Sequence, residues 1–599
     1  MDSLSESQDT NTKRLWSFIR SKTKTRSVPG ITHGGCVETE PKAKAQIFND
    51  YFYSVFRDDD SPVLPDIDIT VNPNLSNVTF SPQDVTSVLL GLDTAKASGP
   101  DNVSSHVLKQ CAHQLAPSLS CLFNLCLASS CFPSQWKQAH VVPVHKKGKR
   151  DDVENYRPVS LLSIISKVIE RCVFNHVYEH VNSLISPLQH GFVRGKSCTS
   201  QLLDVYHQIG QTLDNTCQTD IFFLDFSKAF DSVSHVLLIH KLQSFGINGN
   251  LLNWLNSYLS DRQQRVVIEG SKSAWLPVKS GVPQGSILGP LLFLLYINDM
   301  PGVVSSSSVA LFADDAKCFR SIKNIDDCLK LQRDLDKLFH WSVKWKLNFN
   351  VKKCKVLSVT RNRQKVDFNY SLNGLLLEQT DSFKDLGVTI SNTLSWGSQV
   401  SSLVSKCNQT MGLIKRAVGF RAPPSLTCNL YQSLVRSKIE YASSVWSPYQ
   451  HNQIKLVESI QRSASRYVLH YPELSYPQRC TALNLLPLCF RREISDLVFL
   501  FKYLAGPGPY KYVSFIPTNT GLRSASQGRL LMQRVSNTVT FKHSFFNRIV
   551  LLWNSLPRDI RDCTDVNEFK YAVNQFYLSK LDQYDADDPS TWCTRSAYS

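Results

Sequence analysis

Two adjacent carboxylates in "LFADDAKCF", residues 311–319, constrain this chain more than any other feature. Apolar runs flank Asp314 and Asp315, "SVALFA" before and "AKCF" after. Both runs read as short strands, and the pair falls where a hairpin turns. Adjacent aspartates at 58–60, 151–152, 326–327 and 587–588 sit among polar or charged neighbours and need only solvent. Like charges held near an apolar layer repel, and loss of water raises their pKa unless a cation compensates. A surface turn with two aspartates is the plain alternative, so the rest of the chain has to decide.

A second carboxylate has similar company. In "IFFLDFSKAFDSV", Asp225 closes a four-residue apolar run at the C-terminal end of a strand that reads as buried. A strand-end cap would account for it alone. A strand end and a hairpin turn can also be neighbours in one sheet. Three carboxylates in one cleft match the charge and hardness of Mg²⁺, which takes oxygen ligands and substrate phosphates. Two such ions about 4 Å apart activate a 3′-hydroxyl and hold a leaving pyrophosphate.

Other segments fit that chemistry. Phe230 follows Asp225 by five residues, which the spacing places one helical turn into the next element. An aromatic there floors a nucleotide sugar and excludes a 2′-hydroxyl; an ordinary core phenylalanine fits equally well. "SGVPQGS" (280–286) lets backbone approach a ligand through Gly281 and Gly285, and Gln284 offers an amide. Lys146, Lys147 and Arg157 flank a strand-turn unit and suit triphosphate oxygens. Singly, each also reads as a solvated surface charge.

Charge and cysteine usage narrow the class. Lys and Arg number 66 against 50 Asp and Glu, a formal charge of +16 that favours a polyanionic partner. The 17 cysteines are scattered and lack a CxxC pair, so they read as reduced, buried small hydrophobes of an intracellular protein. The most apolar run, "ILGPLLFLLYI" (287–297), is broken by Gly289-Pro290 and too short to span a bilayer. No membrane partner is expected.

Along the chain, residues 1–35 read as a loosely ordered basic arm, and 37–95 as helices around a Pro/Asp-rich loop at 58–75. "HVVPVHKKGKR" is an alternating strand ending in a basic turn. "NYRPVSLLSIISKVIERCVFNHV" is a turn into an amphipathic helix. "VKSGVPQGSILGPLLFLLYINDM" is a Gly/Pro-rich turn opening a buried helix, and "FKDLGVTI" is a strand. Helical periodicity dominates from about 396 to 505, "AGPGPY" (505–510) reads as a linker, and one more apolar cluster follows.

Taken in order, "HKKGKR…NYRPVSLLSIISKVIER", "QHGFVRGKSCTSQLL", "FFLDFSKAFDSV", "SGVPQGSILGPLLFLLYINDM", "LFADDA", "KLNFNVKKCKVL" and "FKDLGVTI" closely resemble the reverse transcriptase of LINE-type (non-LTR) retrotransposons, near the jockey-like group. The resemblance covers about 96–400 in unbroken order. It extends more loosely to "KRLWSFIRSK" before and to "IEYASSVWSPY" and "LLWNSLP" after.

The resemblance implies an α+β right-hand polymerase of fingers, palm and thumb, with an antiparallel palm sheet and a mostly helical C-terminal region. The implied divisions are a basic arm and helical extension (1–95), fingers and palm (96–400, core about 127–390), a helical thumb-like region (401–505) and a C-terminal region (506–599). It implies that Asp225 and Asp314 ligate metal with Asp315 assisting, and that Phe230 is the gate against ribonucleotides. Gln284 would contact the incoming dNTP, and Lys147, Arg157 and Arg194 its phosphates. Lys352 or Lys353 would donate a proton to pyrophosphate, and "FKDLGV", around Leu386 and Gly387, would grip the primer. The implied cofactor is two Mg²⁺ ions, or Mn²⁺ in their place. The implied partners are an RNA template, a DNA primer or target DNA, and dNTPs, in the nucleus.

Elements of this type usually carry an N-terminal apurinic-type endonuclease. Nothing like one precedes the match, so the chain reads as amino-terminally truncated or split. Two other functions compete: a catalytically inactive or domesticated RNA-binding relic, and an RNA-dependent RNA polymerase. The intact aspartates speak against the first and Phe230 against the second.

Overall fold

Strand Gln218–Leu224 organises the molecule, because all seven of its residues are buried. A strand covered on both faces needs a continuous apolar run rather than alternation, and "IFFL" supplies it. The computed structural model describes residues 28–57, 64–66, 74–419, 422–471, 473–505, 530–585, 588 and 591. Most of the basic arm, much of the 58–75 loop and nearly all of the 505–510 linker lie outside the described residues.

The strands used below are β1 (Gln138–His145), β2 (Tyr156–Leu161), β3 (Gln218–Leu224), β4 (Arg262–Ile268), β5 (Ser308–Phe312), β6 (Asp315–Ile322), β7 (Lys355–Val359), β8 (Glu378–Gln379), β9 (Ser382–Asp385) and β10 (Val388–Ser391). The helices are α1 (Pro41–Ser54), α2 (Pro82–Leu90), α3 (Ala112–Ala128), α4 (Ile164–Val181), α5 (Cys198–Asp214), α6 (His235–Ser244), α7 (Gly249–Leu259), α8 (Leu288–Ile297), α9 (Ile325–Lys344), α10 (Gly397–Val418), α11 (His451–Leu469), α12 (Leu488–Ala505), α13 (Phe545–Asn554) and α14 (Val566–Leu578).

One sheet runs β2-β1-β4, with β1 antiparallel to β2 and parallel to β4. Helix α1 covers it through Phe48 and Phe52, and Phe48 meets Tyr156 edge-on at 4.9 Å. The "NYRPVSLL" segment expected as a turn is therefore strand β2. Its Pro158 stands opposite Pro143, a rung where neither residue has an N–H to donate.

The second sheet runs β8-β7-β3-β6-β5. Its four long strands are antiparallel, as the resemblance implies, but the short β8 pairs with β7 in parallel, so the sheet is mixed. Side chains alternate across β3. Phe222 and Leu224 join the core built with α2–α4 and α6–α9. Ile221 and Phe223 join the core built with α5 and the C-terminal helices.

"FKDLGVTI" is a hairpin rather than one strand. β9 and β10 pair antiparallel, and Leu386 and Gly387 turn between them with φ of +42° and +90°. Left-handed backbone at two successive residues ends a strand, and glycine adopts it without cost.

Helices α10–α12 are those expected from periodicity. Helices α13 and α14 bury Phe545, Trp553, Phe569 and Tyr577 in the same core. The last described segment is fastened to the C-terminal end of α5. There the buried Asp214 accepts from the Asn537 N–H at 3.0 Å and from the Thr538 N–H and hydroxyl, both at 2.7 Å. Asp214→Ala leaves two backbone donors without that carboxylate. It should cost about 2–3 kcal/mol, read as a lower Tm and faster amide exchange across 536–554.

Candidate active site

Register brings two of the three carboxylates together. Ala316 of β6 pairs with Leu224 of β3, so the next rung sets Asp315 across from Asp225. Asp225 follows β3 directly, and Asp315 opens β6 opposite Phe312. Asp314 is the second residue of the two-residue turn, after Ala313 with φ of +52°. The adjacent pair is therefore split by the hairpin, one aspartate on the turn and one on the strand.

A segment without an assigned role in the sequence holds this turn. The Gln189 side-chain carbonyl accepts the N–H groups of Ala313 and Gly191, both at 2.8 Å. The N–H of His190 donates to the Leu311 carbonyl at 2.9 Å, and the N–H of Leu311 to the Leu188 carbonyl at 3.0 Å. A Cβ on Gly191 would lie 2.3 Å from the Ala313 nitrogen, so only glycine fits. The available signal was a glutamine two residues before a glycine in "LQHGF".

The electrostatics are those of a site short of positive charge. Asp314 titrates above its ordinary range, mainly through burial. Asp225 adds to the rise, while a backbone hydrogen bond, Arg157 and Lys146 oppose it. Asp315 is pushed up to about 6, first by loss of solvation and then by Asp314, Asp385 and Asp225. Asp225 Oδ2 is a buried atom with no hydrogen bond, and Lys353 Nζ stands 3.4 Å from it.

These are hard oxygen donors with uncompensated charge, chemistry that suits Mg²⁺. Among the described residues, however, no three His, Cys, Asp or Glu side chains are arranged to hold a metal ion. The carboxylates are close enough to repel one another without forming a finished ligand cage.

Of the expected basic groups, Lys353 reaches Asp225, and no contact is seen from Lys352 to the carboxylates. Turn residue Asn350 donates its N–H to the Asp225 carbonyl at 2.7 Å and so seats the "NVKKC" turn beside the site. Arg157 acts on Asp314, as does Lys146, the neighbour of Lys147. Arg194 lies over the Tyr178 ring at 4.6 Å, and its N–H donates to the Tyr178 hydroxyl.

Phe230 is not in a helix. It sits in the 227–231 turn, and α6 begins only at His235, where Ser234 caps it. Its half-buried ring stacks on Phe293 of α8 at 4.4 Å and meets the exposed Phe192 edge-on at 6.4 Å. The glycines of the 280–286 loop approach protein backbone rather than open space. A Cβ on Gly281 would come 2.7 Å from Asp231 Cα and the Phe230 carbonyl, and one on Gly285 would come 2.6 Å from the Ser160 carbonyl. Gln284 donates its amide to Asp231 Oδ1 at 2.8 Å. The loop thus ties the turn after Asp225 to β2.

Leu386 and Gly387 form the tip of the β9–β10 hairpin. Tyr441, from "IEYASSVW", donates its hydroxyl to the Leu386 carbonyl at 2.7 Å, and its ring lies against Gly387. The helical region therefore supports this turn from its own side.

Residues 144–390 match the family described as reverse transcriptase (RNA-dependent DNA polymerase). The chain is 28% identical over 411 residues to the RNA-directed DNA polymerase from mobile element jockey of Drosophila melanogaster, 66% of this chain and 44% of that protein. It is 26% identical over 496 residues to the probable RNA-directed DNA polymerase from transposon BS of the same fly, 78% of this chain and 54% of that protein. For the corresponding protein of transposon X-element the figures are 27% over 476 residues, 76% and 52%. The chain spans about half the length of the curated relatives it matches.

Asp231 gives the site a pH signature of its own. Loss of solvation pushes its carboxyl up to about 6, against the opposing pull of Gln284 and Lys228. An acid with a raised pKa in the fold binds its proton more tightly there. Its contribution to stability is complete below about 4 and is lost as pH rises through about 6. Asp231→Asn should therefore melt roughly 1–2 °C above wild type at pH 8, and at the same temperature at pH 4. Paired calorimetric scans at the two pH values check this.

Proposed function

We propose that this chain, whose residues 144–390 are a reverse transcriptase domain related to the jockey, BS and X-element polymerases, copies RNA into DNA by two-metal nucleotidyl transfer. The observation that carries the reading is the rung that sets Asp225 across from Asp315 with Asp314 on the adjoining turn. In this reading β1, β2 and β4 belong to the fingers, the β3-centred sheet is the palm, and α10–α12 form the thumb.

Asp225 and Asp314 would hold the ions, with Asp315 assisting. Two Mg²⁺ ions bound there, or Mn²⁺, supply activation of the primer 3′-hydroxyl and neutralise charge on the leaving pyrophosphate. Lys353 is the better-placed proton donor, since its ammonium already stands at Asp225. Arg157 and Lys147, together with Lys146, offer cations for the triphosphate, and Arg194 a more distant one. Gln284 is placed to orient the nucleotide, and its bond to Asp231 fixes its amide. Leu386 and Gly387 would lie along the primer strand. The RNA template, DNA primer and dNTPs are the partners this chemistry requires.

Primer extension on an RNA template, with dNTPs or rNTPs, tests the reading. Asp225→Ala and Asp314→Ala should each lower incorporation at least about a thousandfold, and Asp315→Asn less. A folded Asp225→Ala protein within tenfold of wild type would sink the assignment. Template binding without any incorporation by wild type would support the RNA-binding alternative.

Phe230 separates a DNA maker from an RNA maker. Phe230→Ala should raise rNTP use relative to dNTP use by ten- to a hundredfold, about 1.4–2.7 kcal/mol. Its stack on Phe293 means a fall in Tm as well. The ratio of kcat/KM values is the deciding readout, because loss of packing alone lowers both activities together.

A further inference from the structure

β6 carries Asp315 and Lys317 on one face, two residues apart. Lys317 does not open to the cleft. Its side chain is 1% exposed, and its Nζ lies 2.6 Å from Oδ2 of Asp385, which is 3% exposed. Nζ also donates to Gln201 Oε1 at 2.8 Å, and Asp385 accepts the Tyr206 hydroxyl at 2.8 Å. Both helpers come from α5.

Asp385 is the last residue of β9, directly before the Leu386–Gly387 turn. The ion pair therefore joins the strand that begins at Asp315 to the base of that turn. A second fastening runs beside it: Phe223 of β3 stacks on Phe383 of β9 at 3.9 Å, with planes 13° apart. Phe223 and Phe383 each precede a carboxylate of interest, Asp225 and Asp385, by two residues. Both strands that carry the cleft's carboxylates are thus tied to one hairpin.

Stability alone does not call for charge at this place. Desolvation of a buried ion pair offsets most of its attraction, and apolar residues of similar volume hold a core as well. What the pair adds is a fixed distance. Its lysine and carboxylate meet at one N···O separation, oriented by Gln201 and Tyr206, whereas apolar surfaces slide.

We propose that Lys317 and Asp385 are positioning residues for the primer 3′ terminus, a strut that sets the height of the Leu386–Gly387 turn over Asp225 and Asp315. The inference rests on the reading of the cleft as a polymerase site. The strut touches no substrate; it acts through the turn. A reacting group misplaced by about 1 Å costs on the order of 10²-fold in rate even when binding is intact.

The test uses the full chain and the double variant Lys317→Met/Asp385→Leu, which removes both charges and leaves no unpaired one. Three quantities are measured: the Kd for a primer–template duplex, the burst amplitude that counts active sites, and the single-turnover rate constant per active site. The expected result is a Kd within about threefold of wild type and a rate constant down ten- to a hundredfold. A purely structural pair would lower the burst amplitude and leave the rate constant per site alone, and that result overturns the proposal. A Kd that weakens as much as the rate falls also overturns it, since the turn would then hold the duplex rather than place its end. If the double variant does not fold, Lys317→Arg keeps the charge and lengthens the strut, and an unchanged rate constant there is decisive against the idea. Wild type that binds the duplex but never extends it would overturn the polymerase reading instead.

Discussion

The pairing of β3 with β6 is the constraint on which the rest depends. Side chains alternate along a strand, so a slip of one residue would turn Asp315 to the opposite face and bury it among the helices around α8. The apolar pattern prevents the slip. Leu224 and Phe222 fit one core, Phe223 and Ile221 the other, and only one register satisfies both. The site's geometry is therefore a by-product of core packing on two faces.

Around that pairing the loops act as fasteners. The Gln189 side-chain oxygen accepts the Ala313 N–H of the hairpin turn, which would otherwise be buried unpaired. The 280–286 loop presses two glycines against neighbouring backbone and fixes the turn after Asp225. The Asn350 bond seats Lys353. These contacts run through backbone at Ala313, Asp225 and the turn that follows it, so they engage none of the cleft's carboxylate oxygens. The distant hairpin of β9 and β10 is tied to the same sheet through one stacked ring pair and one buried ion pair.

The carboxylates show the cost of this arrangement. Asp314, Asp315 and Asp231 all titrate above their ordinary range because the fold strips water from them. Around Asp225, Asp314 and Asp315, Lys353, Lys146 and Arg157 compensate only in part. Such a cleft stores unfavourable charge that cationic or proton-bearing partners relieve. The cleft lies within residues 144–390, which match the reverse transcriptase family.

Much of this was legible in the sequence. The "IFFLD" and "LFADDA" segments announce a buried strand end and an acidic hairpin, because apolar runs around charge have few foldings. The order of motifs carried the resemblance, and the family match falls on residues 144–390. Left undetermined was whatever depends on which backbone meets which. Phe230 was read as helical because spacing carries no information about the turn at 227–231. That Lys353, of the two candidate lysines, stands at Asp225 depends on how the turn after Asn350 seats beside β3. Gln189, Lys317 and Asp385 look like ordinary polar residues until α5 and the two hairpins close around them. Local periodicity and residue chemistry thus determined the elements and the class of site. Only the tertiary structure decided the partners, because a buried charge or an orphan N–H selects its neighbour across 68 to 179 residues of chain.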